Sequence, residues 1–355
     1  PLSDDEYDVV VASGEQVTSG LLAMTLRNMG LNARSWMGWQ VPIVTDDAHG
    51  RARIVDIPGE RLGAAVDAGE VAVVPGFQGV TPDGKITTLG RGGSDTSAVA
   101  VAAALGCPCD IYTDVDGGYT TDPRIESRAR RLNKVSYEEM LEMASLGAKV
   151  LQTRSVELAM AKQVPVRVLS SFIEPDETGN LPEKGGTLIC DEEEIVEKRI
   201  VSGVTMSRDE ARITLLGLSD RVDAPADVFT RLAEANVNVD MIVQSQSRTA
   251  GTVNLTFTTG RRDAVRAADI MKAAQDQLPF EEIRVDEDVA KVSVIGVGMR
   301  SHAGVAQQMF RALADKGVKF QAISTSEIKI SVLIDAAYAE LAVRALHSAY
   351  ELDAV

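Results

Sequence analysis

The sequence predicts an α/β domain with a largely parallel sheet, followed by two small ferredoxin-like modules of the βαββαβ type. Residues 8–195 alternate strand-like apolar runs with helix-like periodic segments. Residues 200–355 contain an internal repeat. Between them, residues 174–198 turn polar, with the turn-forming Glu174-Pro175-Asp176-Glu177-Thr178-Gly179-Asn180 and the acidic run Asp191–Glu194. The expected division is therefore residues 1–195, 200–285 and 286–355.

The chain opens on Pro1-Leu2-Ser3-Asp4-Asp5-Glu6, without Met, and runs into Val9-Val10-Val11-Ala12. The valines read as a strand that turns into a helix at Ser13-Gly14-Glu15. Val71–Pro75, Cys109–Thr113 and Val164–Val168 read as further strands. Thr96–Leu105, rich in alanine, reads as a buried helix. Ser136 with Glu139 three residues on forms a capping box, and Met140, Met143 and Ala144 then fall on one helical face. In the repeat, Phe229, Leu232, Val237, Ile242 and Ser245 match Phe310, Leu313, Val318, Ile323 and Ser326, every pair 81 residues apart. Two copies suggest a paired arrangement, within the chain or across a dimer.

Composition narrows the function. The chain has 355 residues, 45% hydrophobic and 25% charged, with a net charge of −16. That balance argues against a nucleic-acid partner, which needs a basic face. No run of 18 apolar residues signals a membrane span, and no charged-then-apolar leader signals secretion. Cys107, Cys109 and Cys190 are too few and badly spaced for a zinc site; they read as free thiols in a reducing compartment.

Three segments carry chemistry. In Thr87-Thr88-Leu89-Gly90-Arg91-Gly92-Gly93-Ser94-Asp95-Thr96-Ser97 the glycines let backbone amides approach a ligand, and Ser94, Asp95 and Thr96 sit where a helix N-cap belongs. A helix start is an anion site, and Arg91 adds a planar fork for a carboxylate or phosphate. Alone, the segment also suits a tight strand-to-helix turn. Tyr112-Thr113-Asp114-Val115-Asp116-Gly117-Gly118-Tyr119-Thr120-Thr121-Asp122-Pro123-Arg124 follows a strand, where open α/β sheets bind ligands. Asp114 and Asp116 suit hydrated Mg²⁺ or a ribose, Tyr119 a base, Arg124 a phosphate; spacing alone equally allows an Asp/Gly-rich turn. Glu15 completes the set, near a predicted helix start.

Together these segments resemble the aspartate kinases of the amino-acid kinase family: Gly14-Glu15 before a small-residue helix, then Gly90–Thr96, then Asp114–Arg124. Phe77-Gln78-Gly79, Phe172 and the Gly147–Leu151 turn also fit, and the doubled module resembles the ACT domains that these enzymes carry, with Ser324–Ile328 a close match. The resemblance implies a three-layer amino-acid kinase fold and transfer of the γ-phosphoryl group of MgATP to the side-chain carboxylate of L-aspartate, opening lysine, threonine and methionine biosynthesis in the cytoplasm. It implies that Arg91 grips an aspartate carboxylate, that Glu15 and Asp95 meet its ammonium, and that Ser94 helps hold it. It places Thr113, Asp114, Tyr119, Arg124 and Lys149 at the nucleotide. It leaves Asp220, Asn238 and Asp240 for an amino-acid effector, lysine or threonine or both, and implies a homodimer or higher oligomer through the modules.

Two departures stand out. The family's opening Lys-Phe-Gly-Gly-Thr-Ser loop is absent, so the sequence reads as truncated in its first domain and as weakly active or inactive without that segment. The usual Pro-Gly after the Ser-Asp turn is replaced by Val222-Asp223 after Arg221, whereas the second module keeps Gly304. The rival readings are another kinase of the same fold, or a non-catalytic effector-binding partner with a degenerate kinase half.

Overall fold

The computed structural model describes residues 3–146, 150–174, 185–195 and 199–354. It divides into two units, residues 1–119 with 131–198, and residues 120–130 with 199–355.

The first unit opens with α1 (Asp4–Asn28), where a strand was expected at Val9–Ala12. The buried residues Asp8, Ala12, Ser19 and Ala23 recur at helical spacing, while Val9 and Val10 are exposed. Acidic Asp4, Asp5 and Glu6 in the first turn and Arg27 in the last complement the helix dipole. These outweigh the weak strand preference of three valines. By length and composition alone α1 could cross a bilayer. Its buried face is instead tied to the unit: Asp8 bonds residues 49, 50 and 88, and Arg27 donates to the Ala33 carbonyl.

Then come β1 (Ala33–Ser35), β2 (Val44–Thr45), β3 (Ile54–Asp56), α2 (Glu60–Asp67), β4 (Val71–Val73), β5 (Gln78–Val80), β6 (Ile86–Thr88), α3 (Gly93–Leu105), β7 (Cys109–Thr113), β8 (Lys134–Ser136), α4 (Tyr137–Ser145), α5 (Thr153–Lys162), β9 (Val166–Ser170) and β10 (Thr187–Cys190). The sheets are mixed: β1 pairs with β4 in parallel, and the others run β3-β2-β5-β6 and β7-β9-β10-β8. β7–β9, β8–β10 and β2–β5 are parallel; β9–β10, β2–β3 and β5–β6 are antiparallel. Trp36, Val41, Ile43 and Leu62 form one buried cluster. Ser136 caps α4 in a complete capping box with Glu139, and Met140 and Met143 are buried. Among the described residues the three cysteines are free, and burial pushes the Cys109 thiol up to about 11. That keeps it from acting as a thiolate.

The second unit contains β11 (Gly203–Ser207), β12 (Ala211–Ser219), α6 (Ala224–Glu234), β13 (Ile242–Gln246), β14 (Thr252–Thr259), α7 (Arg261–Ala273), β15 (Glu282–Asp286), β16 (Val289–Ile295), α8 (Val305–Asp315), β17 (Phe320–Thr325), β18 (Lys329–Asp335) and α9 (Ala339–Ala349). Two four-stranded antiparallel sheets result, β13-β14-β12-β15 and β17-β18-β16-β11. Matched repeat positions have matched burial: Leu232 and Leu313 are both sealed in, and Ile242 and Ile323 are both exposed. The expected boundary at 285/286 does not follow the strand pairing. The second sheet takes its fourth strand from β11, so the first module is inserted in the chain between β11 and β16. Periodicity reveals a strand but not its partner.

Val222 is fully exposed and α6 starts at an ordinary backbone angle at Asp223, with Pro225 in its first turn. Gly304, before α8, has φ +101. The missing glycine thus reflects a turn that does not need one. Residues 120–130 also pack in this unit, through Val204 N–H to the Thr120 carbonyl, Thr120 to His347, and Arg128 to Asp353.

Candidate active site

The Gly90–Asp95 loop is built by close approaches. Gly90 (φ +76) lies where a Cβ would stand 2.9 Å from the Gly50 carbonyl oxygen. Gly92 (φ +74) is itself the N-cap of α3, and a Cβ there would meet Gln152 Cγ at 2.0 Å. The N-cap is therefore not Ser94, Asp95 or Thr96, which lie in the first turn. Thr96 Oγ1 donates back to the Gly92 carbonyl, and Ser97 Oγ donates to Gly93 and accepts from Phe77 N–H. Arg154 bonds the Leu89 and Ala52 carbonyls and so fixes the strand side of the loop.

Out of this frame stands Arg91, exposed, with no ion pair or hydrogen bond among the described residues. Ser94 is exposed and Asp95 half-buried. Burial pushes the Asp95 carboxyl up, opposed by a hydrogen bond from the Gln152 backbone. An unpaired guanidinium and, four residues on, a partly desolvated carboxylate suit the two ends of a zwitterion, carboxylate to arginine and ammonium to aspartate.

Glu15 is half-buried in the middle of α1, not at a helix start, so the dipole argument for it fails. Gln16, next to it, donates to the Gln78 side chain, which in turn donates to the Ala12 carbonyl. Sequence reasoning missed Asp8, the most heavily bonded carboxylate here. It accepts from Gly50 N–H, Thr88 N–H and Thr88 Oγ1, and pairs with His49 Nδ1 at 2.9 Å. Burial pushes its carboxyl up, but the bonds from Thr88, Gly50 and His49 outweigh that and hold it below the usual carboxylate range. A carboxylate directly ahead of the apolar run was the one available signal.

At the carboxyl end of β7, Thr113 bonds the exposed Asp114, and Ser171 at the end of the parallel β9 bonds the Thr113 carbonyl. Tyr119 donates to Asp116, which also pairs with Arg131. Burial, then the bond to Asp116, raises the Tyr119 hydroxyl. Phe172 is 76% exposed. Arg124 belongs with the second unit and is held bidentate by Asp122. Lys149, with Gly147 and Ala148, lies outside the described residues.

The expected effector residues do not gather within one module. Asp220 N–H bonds Gly251, at one end of β14, while Asp240 N–H bonds Thr258 at the other. Seven residues of strand separate them, about 23 Å. Asn238, exposed, lies near Asp240, and its carbonyl accepts from Thr259. The Asp240 carboxylate is paired with Lys291, a buried ammonium also 2.8 Å from Glu210.

Comparison with known proteins agrees. Residues 2–170 match the amino acid kinase family, and residues 213–275 and 292–350 match the ACT domain. An aspartokinase of Pseudomonas aeruginosa is 53% identical over 352 residues, covering 98% of this chain and 83% of its own length. The aspartokinase of Corynebacterium glutamicum is 46% identical over 352 residues, covering 98% and 82%. The crystal structure of E. coli aspartokinase III in complex with aspartate and ADP superposes with a TM-score of 0.78 at 29% identity, over 98% of this chain and 76% of that one. A second E. coli aspartokinase III structure, with lysine and aspartate, gives 0.75 at 30% identity, over the same shares. With this extent of identity across nearly its whole length, the chain belongs to the aspartate kinases.

Proposed function

We propose that this aspartate kinase holds its amino-acid substrate between Arg91 and the carboxylates of Glu15 and Asp95, with Ser94 assisting. The observation that carries the reading is Arg91: a guanidinium raised on a closely packed glycine loop, with no carboxylate among the described residues to neutralise it. Thr113, Asp114 and Tyr119 take the nucleotide, and Arg124 and Lys149 are assigned to it by their places in the sequence alone.

The chemistry asks little beyond placement. The attacking side-chain carboxylate of aspartate is ionised at neutral pH, so no general base is needed. Phosphoryl transfer is accelerated by alignment and by neutralising charge on the moving group. Mg²⁺ carried on the nucleotide phosphates keeps most of its waters and needs one or two carboxylates at most. Asp114, exposed at the end of β7, would meet that hydrated ion, whereas Asp116 is already bonded by Tyr119 and Arg131. When bound, Mg²⁺ neutralises charge on the phosphates.

The paired modules take an amino-acid effector, lysine or threonine or both, and join copies of the chain into a homodimer or higher oligomer. Because Asp220 and Asp240 lie at opposite ends of one sheet, an effector that uses both must be shared between two modules. Free thiols among the described residues and the likeness to aspartokinases favour the cytoplasm.

The test is aspartate-dependent ADP release by the full gene product with Mg²⁺. Arg91→Ala should lower kcat/KM for aspartate by about a hundredfold or more, the scale of losing a charged positioning contact. Unchanged kcat/KM in that variant would remove the reading.

A further inference from the structure

We infer that Asp8 is the positioning residue of the aspartate site, fixing Glu15 on α1 against the loop that carries Arg91. The inference rests on the substrate reading above. Asp8 is fully buried, and its two carboxylate oxygens gather donors from two further stretches of chain. Gly50 N–H reaches both oxygens at 3.1 and 3.0 Å, His49 Nδ1 lies 2.9 Å away, and Thr88 contributes N–H at 3.0 Å and Oγ1 at 2.6 Å. Such a carboxylate leaves almost no lone pair unused, so its geometry is set from outside the helix.

Each bonded stretch leads to the site. Thr88 ends β6, two residues before Gly90, and its carbonyl accepts from Ala52 N–H. Gly50 is held by Asp8 through its N–H, and its carbonyl backs Gly90 so closely that a Cβ there would stand 2.9 Å away. Asp8 therefore holds both walls of the turn that presents Arg91. On the helix, Glu15 is seven residues on, about 10 Å along the axis and within about 20° of the same direction. With α1 clamped at Asp8, the azimuth and depth of Glu15 are fixed relative to Gly90. The two charges expected to grip aspartate thus share one anchor that touches neither.

A neutral amide cannot replace it. Asn would keep one acceptor oxygen and turn an NH₂ group toward an N–H donor of Gly50 or Thr88. The unpaired donors would then shift the His49–Gly50 turn, and Gly90 with it.

The experiment is steady-state kinetics on the full gene product, varying aspartate and MgATP separately, for Asp8→Asn, Thr88→Val and the control Asp5→Asn. Asp5 lies one turn earlier on the same helix, where it pairs with Lys85 and accepts bonds from Ser3 and Glu6, all at the surface. Asp8→Asn should raise KM for aspartate about tenfold or more with KM for MgATP within twofold of wild type, and Asp5→Asn should change neither. Thr88→Val, which removes one donor and keeps the shape, should move aspartate KM the same way by less. It remains readable if Asp8→Asn fails to fold. Equal changes in both KM values, or a lowered melting temperature with unchanged kinetics in Asp8→Asn and Thr88→Val, would make Asp8 merely structural and overturn the inference. Glu15→Gln and Arg91→Ala run alongside. If they raise aspartate KM and the Asp8 and Thr88 variants do not, only the positioning role falls. If they leave it unchanged, the substrate reading falls and the inference with it.

Discussion

Gly92→Ala isolates what the tight loop contributes. Gly92 has φ +74, a region that costs an L-residue about 1–2 kcal/mol. Gly30 has φ +86 but open space around it, with no atom within 4 Å of a built Cβ. Gly30→Ala should therefore show the backbone cost alone. At Gly92 the new methyl would sit 2.0 Å from Gln152 Cγ and 2.5 Å from its Cβ, where carbon atoms prefer about 3.5–4.0 Å. A rotamer change moves Cγ but leaves Cβ, which the backbone fixes, in the clash. The start of α5 or the loop must move by about 1–2 Å, adding about 1–3 kcal/mol of overpacking. The total is about 2–5 kcal/mol against about 1–2 for Gly30→Ala, and for a unit of this size each kcal/mol lowers Tm by about 2–4 °C. Because the Gln152 backbone also bonds Asp95, the shift should reach the substrate site, where a displacement of about 1 Å can cost about a hundredfold in rate. Thermal melting and aspartate kinetics of the two variants make the comparison, with Gln152→Gly added to Gly92→Ala as the relief. Equal melting of the two alanine variants, or no recovery on relief, would refute the packing argument.

Two further outcomes concern the second unit. His347 is fully buried, with Nε2 2.9 Å from Thr120 Oγ1 and Nδ1 without a partner among the described residues. Burial lowers its pKa below the usual 6.5; Glu126 and Asp353 oppose this and Arg128 reinforces it. The unfolded chain thus takes up the proton first, so this contribution is complete above pH 6.5 and is lost as pH falls below it, and His347→Asn should flatten the fall in melting temperature between pH 7.5 and 5.5. Lys291 is buried between Glu210 and Asp240, which hold it protonated, while burial pushes the Glu210 carboxyl up. Lys291→Met strands Glu210 and should cost about 3–5 kcal/mol in denaturant melts, and adding Glu210→Gln should return much of it; a cost below about 1 kcal/mol would show the pair to be idle.

The elements that the sequence made legible are those whose signal is local. The capping box at Ser136, the alanine-rich α3 and the matched repeat positions all report on neighbours three or four residues away, or on a face that recurs. α1 was misread because three valines outvoted a single Asp8, whose meaning lies in residues 49, 50 and 88. β11 was misplaced because its own pattern says strand and nothing about joining β16, which follows the whole first module. Arg91 was legible as chemistry, but its lack of a partner was not, since that depends on everything that does not approach it. The separation of Asp220 from Asp240 was hidden for the opposite reason: they flank one helix in sequence, and that helix carries the chain back along the sheet.

The Asp114–Arg124 run shows most sharply where contiguous reading stops. As sequence it is a single motif. In the fold it divides after Tyr119. Tyr119 and Arg131 form a bridge in the first unit, and both bond Asp116. Thr120 and Arg130 pair in the second unit, where Thr120 is sealed by β11 and by His347 on α9. Ile125 accepts from Arg344, and Glu126, buried, fixes Arg128, which reaches Asp353. A pattern of residue types states which chemistry a segment suits; it does not state which core the segment packs on. Thr120 and Glu126 read as ordinary polar positions of a loop because what covers them, β11 and the α9 end of the chain, is remote in sequence. The residues expected from one run to contact the cofactor therefore belong to two units, and residues 120–130 are held by β11, by His347 and by Asp353. A change that loosens His347 or Asp353 should act on Thr120 and Arg128, which they hold, whereas Tyr119 keeps the anchors of its own unit.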